Sequence, residues 1–387
     1  MSFLTVARKD LKVLFRDRSA LIFIFGLPLI FTGVFGFIFG HGDSQPSAKL
    51  KILVVNQDSG PQGQALIEAI RKLGMNVATE PGGATALREH VKNGDDAVGI
   101  VIPSDFSTRV SEVVQAQVDK QSTQTYHLPV LMDPAQAQVT PIAQGAIYGA
   151  LGKVLGPLIA KAHGAPDSAA AAEPSPAVVL DVSSPEVAAK PTAGDLLIPG
   201  YAVYFVFFMA NGVAATLLLE RNDGTLRRML SAPVARWEIL FGKLLARGLL
   251  GLIQTAMLFA IGVYMLHMNL GSNPFGLVLT AVASIFAATG MGLLIATMGK
   301  TMEQIQGMTT MVLLLMGLIS GSLVPRQFLP EALQKFSLIT PHAWALNAYQ
   351  DLILRHLPLT HTLVNIGMVL VFGIVFFGLA LTRFQFE

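Results

Sequence analysis

"LERNDGTLRRMLSAPVARWEILFGK", residues 219 to 243, gathers Glu220, Arg221, Asp223, Arg227, Arg228, Arg236, Glu238 and Lys243 between two long apolar stretches. A helix of about 20 apolar residues crosses the hydrocarbon core of a bilayer. The flanking stretches, 198 to 219 and 244 to 266, meet that length, so the charged island reads as a loop between two membrane spans.

The rest of the chain agrees. Of 387 residues, 52% are hydrophobic and only 13% charged, with a mean hydropathy of +0.56. That balance excludes an ordinary soluble protein. Four more stretches qualify as spans: 20 to 40, 275 to 298, 305 to 324 and 362 to 382. Only helices and closed barrels satisfy the backbone in lipid, so the expected fold is an α-helical polytopic membrane protein with six transmembrane helices. The first stretch exceeds the apolar core of a signal peptide and is read as an uncleaved span. The net charge of +2 gives no field for nucleic acid. Cysteine is absent, which removes disulfides and thiol chemistry.

Orientation follows from where Lys and Arg lie in the short segments. With the N-terminus inside, Arg8, Lys9, Lys12, Arg16, Arg18, Arg221, Arg227, Arg228, Arg236, Lys243, Lys300 and Arg383 are cytoplasmic. The short outer segments keep only Arg326, Lys335 and Arg355. Both termini are thus expected in the cytoplasm, and the insert between the first two spans, 41 to 197, outside. Within it, β-branched runs such as "LKILVVN" (50 to 56), "DAVGIVIP" (96 to 103) and "LPVLMD" (128 to 133) alternate with polar helical stretches, which predicts an extracytoplasmic α/β domain. Asp133 then Pro134 reads as a cap and first-turn proline opening a helix to about Lys161. The Ala/Pro/Ser tract 162 to 177 reads as a linker.

Chemistry is sparse. His90, His127 and His163 lack metal-ligand spacing, and no nucleophile elbow is present, so neither a catalytic nor a metal site is expected. The spans hold almost no ionisable group for an ion relay; Arg247 lies about one turn inside the third span, near enough to the surface to snorkel. Gly299-Lys300-Thr301 ends like a phosphate loop, but Leu294 stands where GxxxxGK(S/T) needs its first glycine. The longest cytoplasmic segment, 220 to 243, is too short to fold as an ATPase.

In that segment Leu226, Met229 and Leu230, then Trp237, Leu240 and Phe241, recur at helical spacing, and Pro233 breaks the first helix and suits the start of a second. At the N-terminus Leu4, Ala7, Leu11, Leu14 and Phe15 form a stripe opposite Arg8, Lys9, Lys12 and Arg16, an interfacial helix over residues 1 to 19. Either segment, taken alone, could also be a basic face against lipid headgroups.

The run "LIPGYAVYFVFF…LLLERNDGTLRRMLSAPVARWEILFGKLLARGLLG" resembles the permeases of type 2 ABC exporters: a Pro-Gly before the second span, an acidic-basic pair, Gly-Thr-Leu, a Pro, and Trp-Glu-Ile-Leu before Gly-Lys. The likeness continues through "TMEQIQGMTTMVLLLMGLISGSLVPRQFLPEALQKFSLITPHAWALNAYQDLIL", with an external helical segment over 325 to 361. What it implies is a coupling segment for a separate ATPase subunit, carried here by Glu220, Arg221, Gly224, Thr225, Leu226, Arg227, Met229, Leu230, Pro233, Trp237 and Glu238. It also implies two ATPase copies that bind the ATP and magnesium, this chain holding no cofactor of its own. A second copy of the permease or a sister permease completes the assembly in the lipid of a bacterial inner membrane, and a periplasmic adaptor is a further candidate partner. Asn211, Gln254, Thr255, Thr309 and Thr310 are the polar groups within the spans, either lining a path or bonding a neighbouring helix. Phe336, Trp344 and Tyr349 are expected at headgroup depth as belt anchors or a gate, near a helix that Thr340 and Pro341 begin. A path without fixed charge suits an amphipathic or apolar cargo. The competing reading is a membrane-anchored receptor or assembly factor whose outer domain binds a partner.

Overall fold

The computed structural model describes residues 3–16, 18–40, 50–118, 125–162, 178–183, 191–231, 236–271, 273–324, 326, 329 and 331–383. The tract 163–177 and Pro233 lie outside the described residues, as do the side chains of Leu4, Leu14, Leu230, Trp237 and Leu240. The chain divides into two compact units, residues 1–44 with 191–387, and residues 45–190. The first unit opens with α1 (Phe3–Arg16) and α2 (Arg18–Gly40).

The second unit runs β1 (Lys51–Asn56), α3 (Pro61–Lys72), β2 (Asn76–Thr79), α4 (Gly83–Asn93), β3 (Val98–Ile102), α5 (Phe106–Val118), β4 (Tyr126–Met132), α6 (Thr140–Ala162) and β5 (Val178–Ser183). The sheet order is β2-β1-β3-β4-β5. β1 is parallel to both neighbours, β4 is antiparallel to β3, and β5 is parallel to β4. One face buries Ile52, Val54, Val98, Ile100, Leu128 and Val130 beneath α3, α5 and α6. The other buries Leu53, Val55 and Leu131 under Leu87 and Val91 of α4. The two-residue alternation of β1 and β4 thus serves two layers of helices. Asp133 does accept from Ala135 N at 2.9 Å, but the turn it caps is a 3-10 turn, Pro134–Val139, and α6 proper begins at Thr140.

The first unit continues with α7 (Ala193–Asn222), α8 (Thr225–Leu230), α9 (Arg236–Leu266), α10 (Pro274–Ala296), α11 (Met302–Ser320), α12 (Glu331–Phe336), α13 (Pro341–Ile353) and α14 (Leu359–Arg383). Each long helix has a local reason to start. Thr192 and Asp195 form a capping box on α7, Asn273 and Pro274 open α10, and Thr340 accepts from Ala343 N ahead of Pro341 to open α13. α7 and α10 are the most enclosed helices, and α10 packs against α7, α9 and α14. Small residues permit this: Ser284, Ala288 and Gly292 of α10 are buried, and Gly292 lies against the backbone of Ala210 in α7.

Six described helices are long and apolar enough to cross a membrane. Five of them are the second to sixth expected spans. The other is Thr140–Ile159, whose Ala143, Ile147, Ala150, Leu151 and Leu155 are already packed into the sheet core, so its apolar side is taken up without lipid. The first expected span is the helix α2, in which Ile24–Gly33 registers as a shorter apolar helix among the described residues.

Candidate functional site

The loop between α7 and α9 is built on one glycine. α7 ends at Asn222, and Gly224 takes φ +68°, the left-handed turn that a side chain disfavours, so the chain reverses directly into α8. The Thr225 hydroxyl donates to the Glu220 carbonyl at 3.1 Å and ties the new helix back to the old one. Ser231 likewise donates to Arg227 O at 3.0 Å. On α8 Leu226 is buried and Met229 half-buried, while Arg227 and Arg228 are exposed, as are Arg221, Asn222 and Asp223 beside them. Leu226 faces its own bundle, and the outward surface of the segment is basic. Glu238, in the first turn of α9, is half-buried.

Beneath α8 lies a closed ring of four alternating charges. Lys9 of α1 donates to Glu220 Oε1, and Lys243 of α9 donates to Glu220 Oε2. Lys243 Nζ also reaches Asp10 Oδ2 at 3.4 Å, and Asp10 returns to Lys9 at 3.6 Å. The side chains of Lys243, Glu220 and Asp10 are 3%, 8% and 10% exposed, while that of Lys9 is 40% exposed, so three members of the ring are buried and Lys9 closes it from the surface. Burial, the largest single influence on Lys9, would lower its pKa, but the hydrogen bond and charge of Glu220 and the charge of Asp10 outweigh it and hold the ammonium above its ordinary value. α1 therefore differs from the simple amphipathic stripe: Val6 and Ala7 are buried, Asp10 turns inward, the half-exposed Lys9 pairs with Glu220, and Phe15 is 54% exposed. A four-charge ring was not legible in the sequence. Its one hint was an acidic residue at the end of an apolar run with a lysine at the start of the next.

Arg247 does not snorkel. Its Nη2 donates to Gly212 O at 2.9 Å and Thr216 Oγ1 at 2.7 Å, so the guanidinium is bound to α7. The Gly299-Lys300-Thr301 string is a helix start: Thr301 Oγ1 accepts from Gln304 N at 3.3 Å, and the Gln304 side chain accepts from Lys300 N at 3.1 Å.

The five polar span residues do different things. Gln254 Nε2 donates to Ile24 O of α2 at 2.8 Å, and Thr309 donates to Ile305 O in its own helix at 2.7 Å. Asn211 Oδ1 and Thr255 Oγ1 are buried without a hydrogen-bond partner among the described residues, and Thr310 is exposed. Of the three aromatics, Phe336 is exposed and Trp344 donates to Leu338 O at 2.7 Å. Tyr349 is no belt residue. It is 1% exposed and stands edge-on to Phe259 of α9, because its face of α13 turns into the bundle.

In the second unit the Asp58 carboxylate, just after β1, accepts from Gly63 N and Ser107 N and joins the starts of α3 and α5. No group of three potential metal ligands occurs among the described residues.

Residues 18–382 match the family described as ABC-2 family transporter protein. The chain belongs to the ABC-2 family. It is accordingly a multi-pass permease, a transport component of a family that works with ABC ATPase partners. Two relatives align along nearly the whole length. Linearmycin resistance permease protein LnrN of Bacillus subtilis (strain 168) is 24% identical over 392 residues, covering 98% of each chain. Probable multidrug ABC transporter permease YbhS of Escherichia coli (strain K12) is 22% identical over 379 residues, 96% of this chain and 93% of the relative. Inner membrane transport permease YhhJ of the same organism is 28% identical over 174 residues, 44% of this ABC-2 chain and 46% of its own.

Proposed function

We propose that this ABC-2 permease is the membrane subunit of an ATP-driven exporter that moves an amphipathic or hydrophobic compound, drug-like or lipid, out of the cytoplasm or the inner leaflet. The cargo class is supported by the names of LnrN and YbhS, one a resistance permease and the other a probable multidrug permease. It is also supported by spans in which the polar groups are almost all neutral. Energy enters through a separate ATPase subunit, present in two copies that hold the ATP and magnesium, with a second copy of this chain or a sister permease completing the assembly. The distribution of Lys and Arg supports a bacterial inner-membrane setting with both termini cytoplasmic and the sheet-bearing unit as an extracytoplasmic α/β domain, where a periplasmic adaptor would meet it. Asn211, Thr255 and Thr310 remain the path candidates that make no side-chain hydrogen bond among the described residues.

The observation that carries this reading is the outward basic face of α8, Arg227 and Arg228 beside Arg221, on a turn tied back to α7. We assign the ATPase contact to that face. Purification of the complex through a tag on this chain tests it. Arg227→Glu with Arg228→Glu is expected to leave membrane level and thermal stability unchanged while the ATPase subunit is lost from the eluate or its hydrolysis no longer responds to the permease. Full retention and a normal response would remove α8 as the docking site.

A further inference from the structure

Glu220 holds four helices at once. Its two carboxylate oxygens accept from Lys9 of α1 and Lys243 of α9, its backbone belongs to the last turn of α7, and its carbonyl accepts the Thr225 hydroxyl of α8. Asp10 closes the ring on the far side of Lys243. Two cations and two anions alternate around it, so the ring is neutral as a whole and every neighbour is of opposite sign. Such an arrangement tolerates one register only: a slip of α1 by a residue exchanges Lys9 for Asp10 and sets like charges together.

Buried ion pairs contribute little net stability compared with apolar packing, and their best-attested use is to fix register between elements. A lipid-anchoring helix has no need of one. Lysines of such a helix reach headgroups, and an aspartate beside them would weaken attraction to anionic lipid. Here Asp10 turns inward and the half-exposed Lys9 pairs with Glu220 instead, and α1 packs along α9 and onto α2. Leu11 adds an apolar contact next to the ring, in the cluster of Met209 and Leu250.

We propose that Glu220 is a positioning residue that locks α1, α8 and the start of α9 to α7, so that movement of α8 reaches the amphipathic N-terminal helix and both adjoining spans as one body. The proposal deepens the docking role of α8 and rests on it for the source of movement; the lock itself is a property of this chain alone.

Because cysteine is absent from the chain, engineered pairs can be spin-labelled without background from this subunit, which is labelled before the ATPase is added. Two pairs in the full complex, in lipid nanodiscs, separate the lock from the docking. Lys12→Cys with Leu249→Cys places labels on exposed sites of α1 and α9, and Tyr264→Cys with Leu338→Cys on exposed sites at the far end of the bundle. In the otherwise unaltered protein the first pair should give one narrow distance, the same without nucleotide and with ATP plus vanadate, while the second pair shifts between those states. Glu220→Gln should broaden the first distance, and abolish the shift of the second while bound ATPase still hydrolyses ATP. A merely structural defect would instead lose the ATPase or the fold. Should Glu220→Gln fail to fold, Lys9→Gln removes only the half-exposed α1 arm and should broaden the first distance in the same way. An unchanged narrow α1–α9 distance in the variants, or a full-size shift at the far end with Glu220→Gln, overturns the lock. If the protein without the Glu220 change showed no ATPase and no shift, the docking reading would fail, and the nucleotide-free distances would still decide on the lock.

Discussion

Gly292 sits where α10 meets α7, and a methyl group there has nowhere to go. A Cβ at this position would stand 2.6 Å from Ala210 O, 2.9 Å from Ala210 Cα and 2.9 Å from Val213 Cβ. Ordinary contact begins at 3.4 Å, so the helices must part by 3.4 − 2.6 = 0.8 Å, and the obstructing atoms are backbone that no rotamer change can move. A gap of about 0.5–1 Å already forfeits a quarter to a half of the dispersion energy of the atoms it separates. Overpacking of this kind costs about 1–3 kcal/mol. At about 2–4 °C per kcal/mol for a unit of this size, Gly292→Ala should lower Tm by about 2–12 °C. Gly307→Ala in α11 is the matched control, since no atom lies within 4 Å of its Cβ position and alanine is the better helix former by about 0.5–1 kcal/mol. The assay is scanning fluorimetry of the purified chain in detergent. If Gly292→Ala melted with or above the unaltered protein while Gly307→Ala melted lower, the packing of α7 on α10 described here would be wrong.

Four further outcomes follow from particular residues. The purified chain should not bind ATP, and Lys300→Ala should leave the nucleotide affinity of the assembled complex unchanged, because Lys300 and Thr301 start a helix; Thr301→Ala should cost about 1 kcal/mol in thermal unfolding. Burial holds His342 near a pKa of about 3, so the unfolded chain takes up a proton that the folded one refuses. Stability is then fully present above the unfolded value of about 6.5 and falls by about 1.4 kcal/mol per pH unit below it, a slope that His342→Phe should flatten. Asp58 is held below its ordinary value: burial, the largest influence, pushes it up, but hydrogen bonds from Ser107, Gly63 and Gly60 outweigh it. Its contribution is present above the unfolded value of about 3.9 and lost as pH falls through the lower folded value, so Asp58→Asn should speed hydrogen exchange at the starts of α3 and α5 at neutral pH and blunt the further rise in acid. Lastly, a membrane-impermeant maleimide applied to intact spheroplasts should label Arg88→Cys, and should label Lys12→Cys only after permeabilisation; the reverse pattern would invert the proposed orientation.

How far the sequence could be read depended on whether the answer was local. The second to sixth spans and the cap at Thr340-Pro341 are set by residues within one or two turns, and they were legible; Asp133-Pro134 was legible as a cap but not as the opening of a 3-10 turn, and the helix start at Thr301 was not read from the sequence. Length and apolarity alone also admit α6 as a span, since a helix buried under a sheet and one buried in lipid share a composition; the alternation with β-branched runs is what put it in the α/β domain. Periodicity located the stripe of α8 but not its direction. Leu226 could equally face a partner, and only the fold turns it inward and leaves Arg227 and Arg228 outside. The ring was hidden because its members are far apart: Lys9 and Glu220 are separated by 211 positions, and Asp10 and Lys243 by 233. Each looked like an ordinary boundary charge. Tyr349 was misplaced for a related reason, its aromatic ring suiting an interface as well as a core until Phe259 is seen beside it.

The central claim, that the basic face of α8 meets a separate ATPase, is tested most directly by photo-crosslinking in intact cells. A photoreactive amino acid at Arg228, with a second at Leu338 at the far end of the bundle as control, should give an adduct from position 228 in which mass spectrometry finds an ABC ATPase subunit, and none from position 338. Adducts at 228 containing only lipid or another copy of this chain, or an ATPase adduct from position 338, would contradict the account.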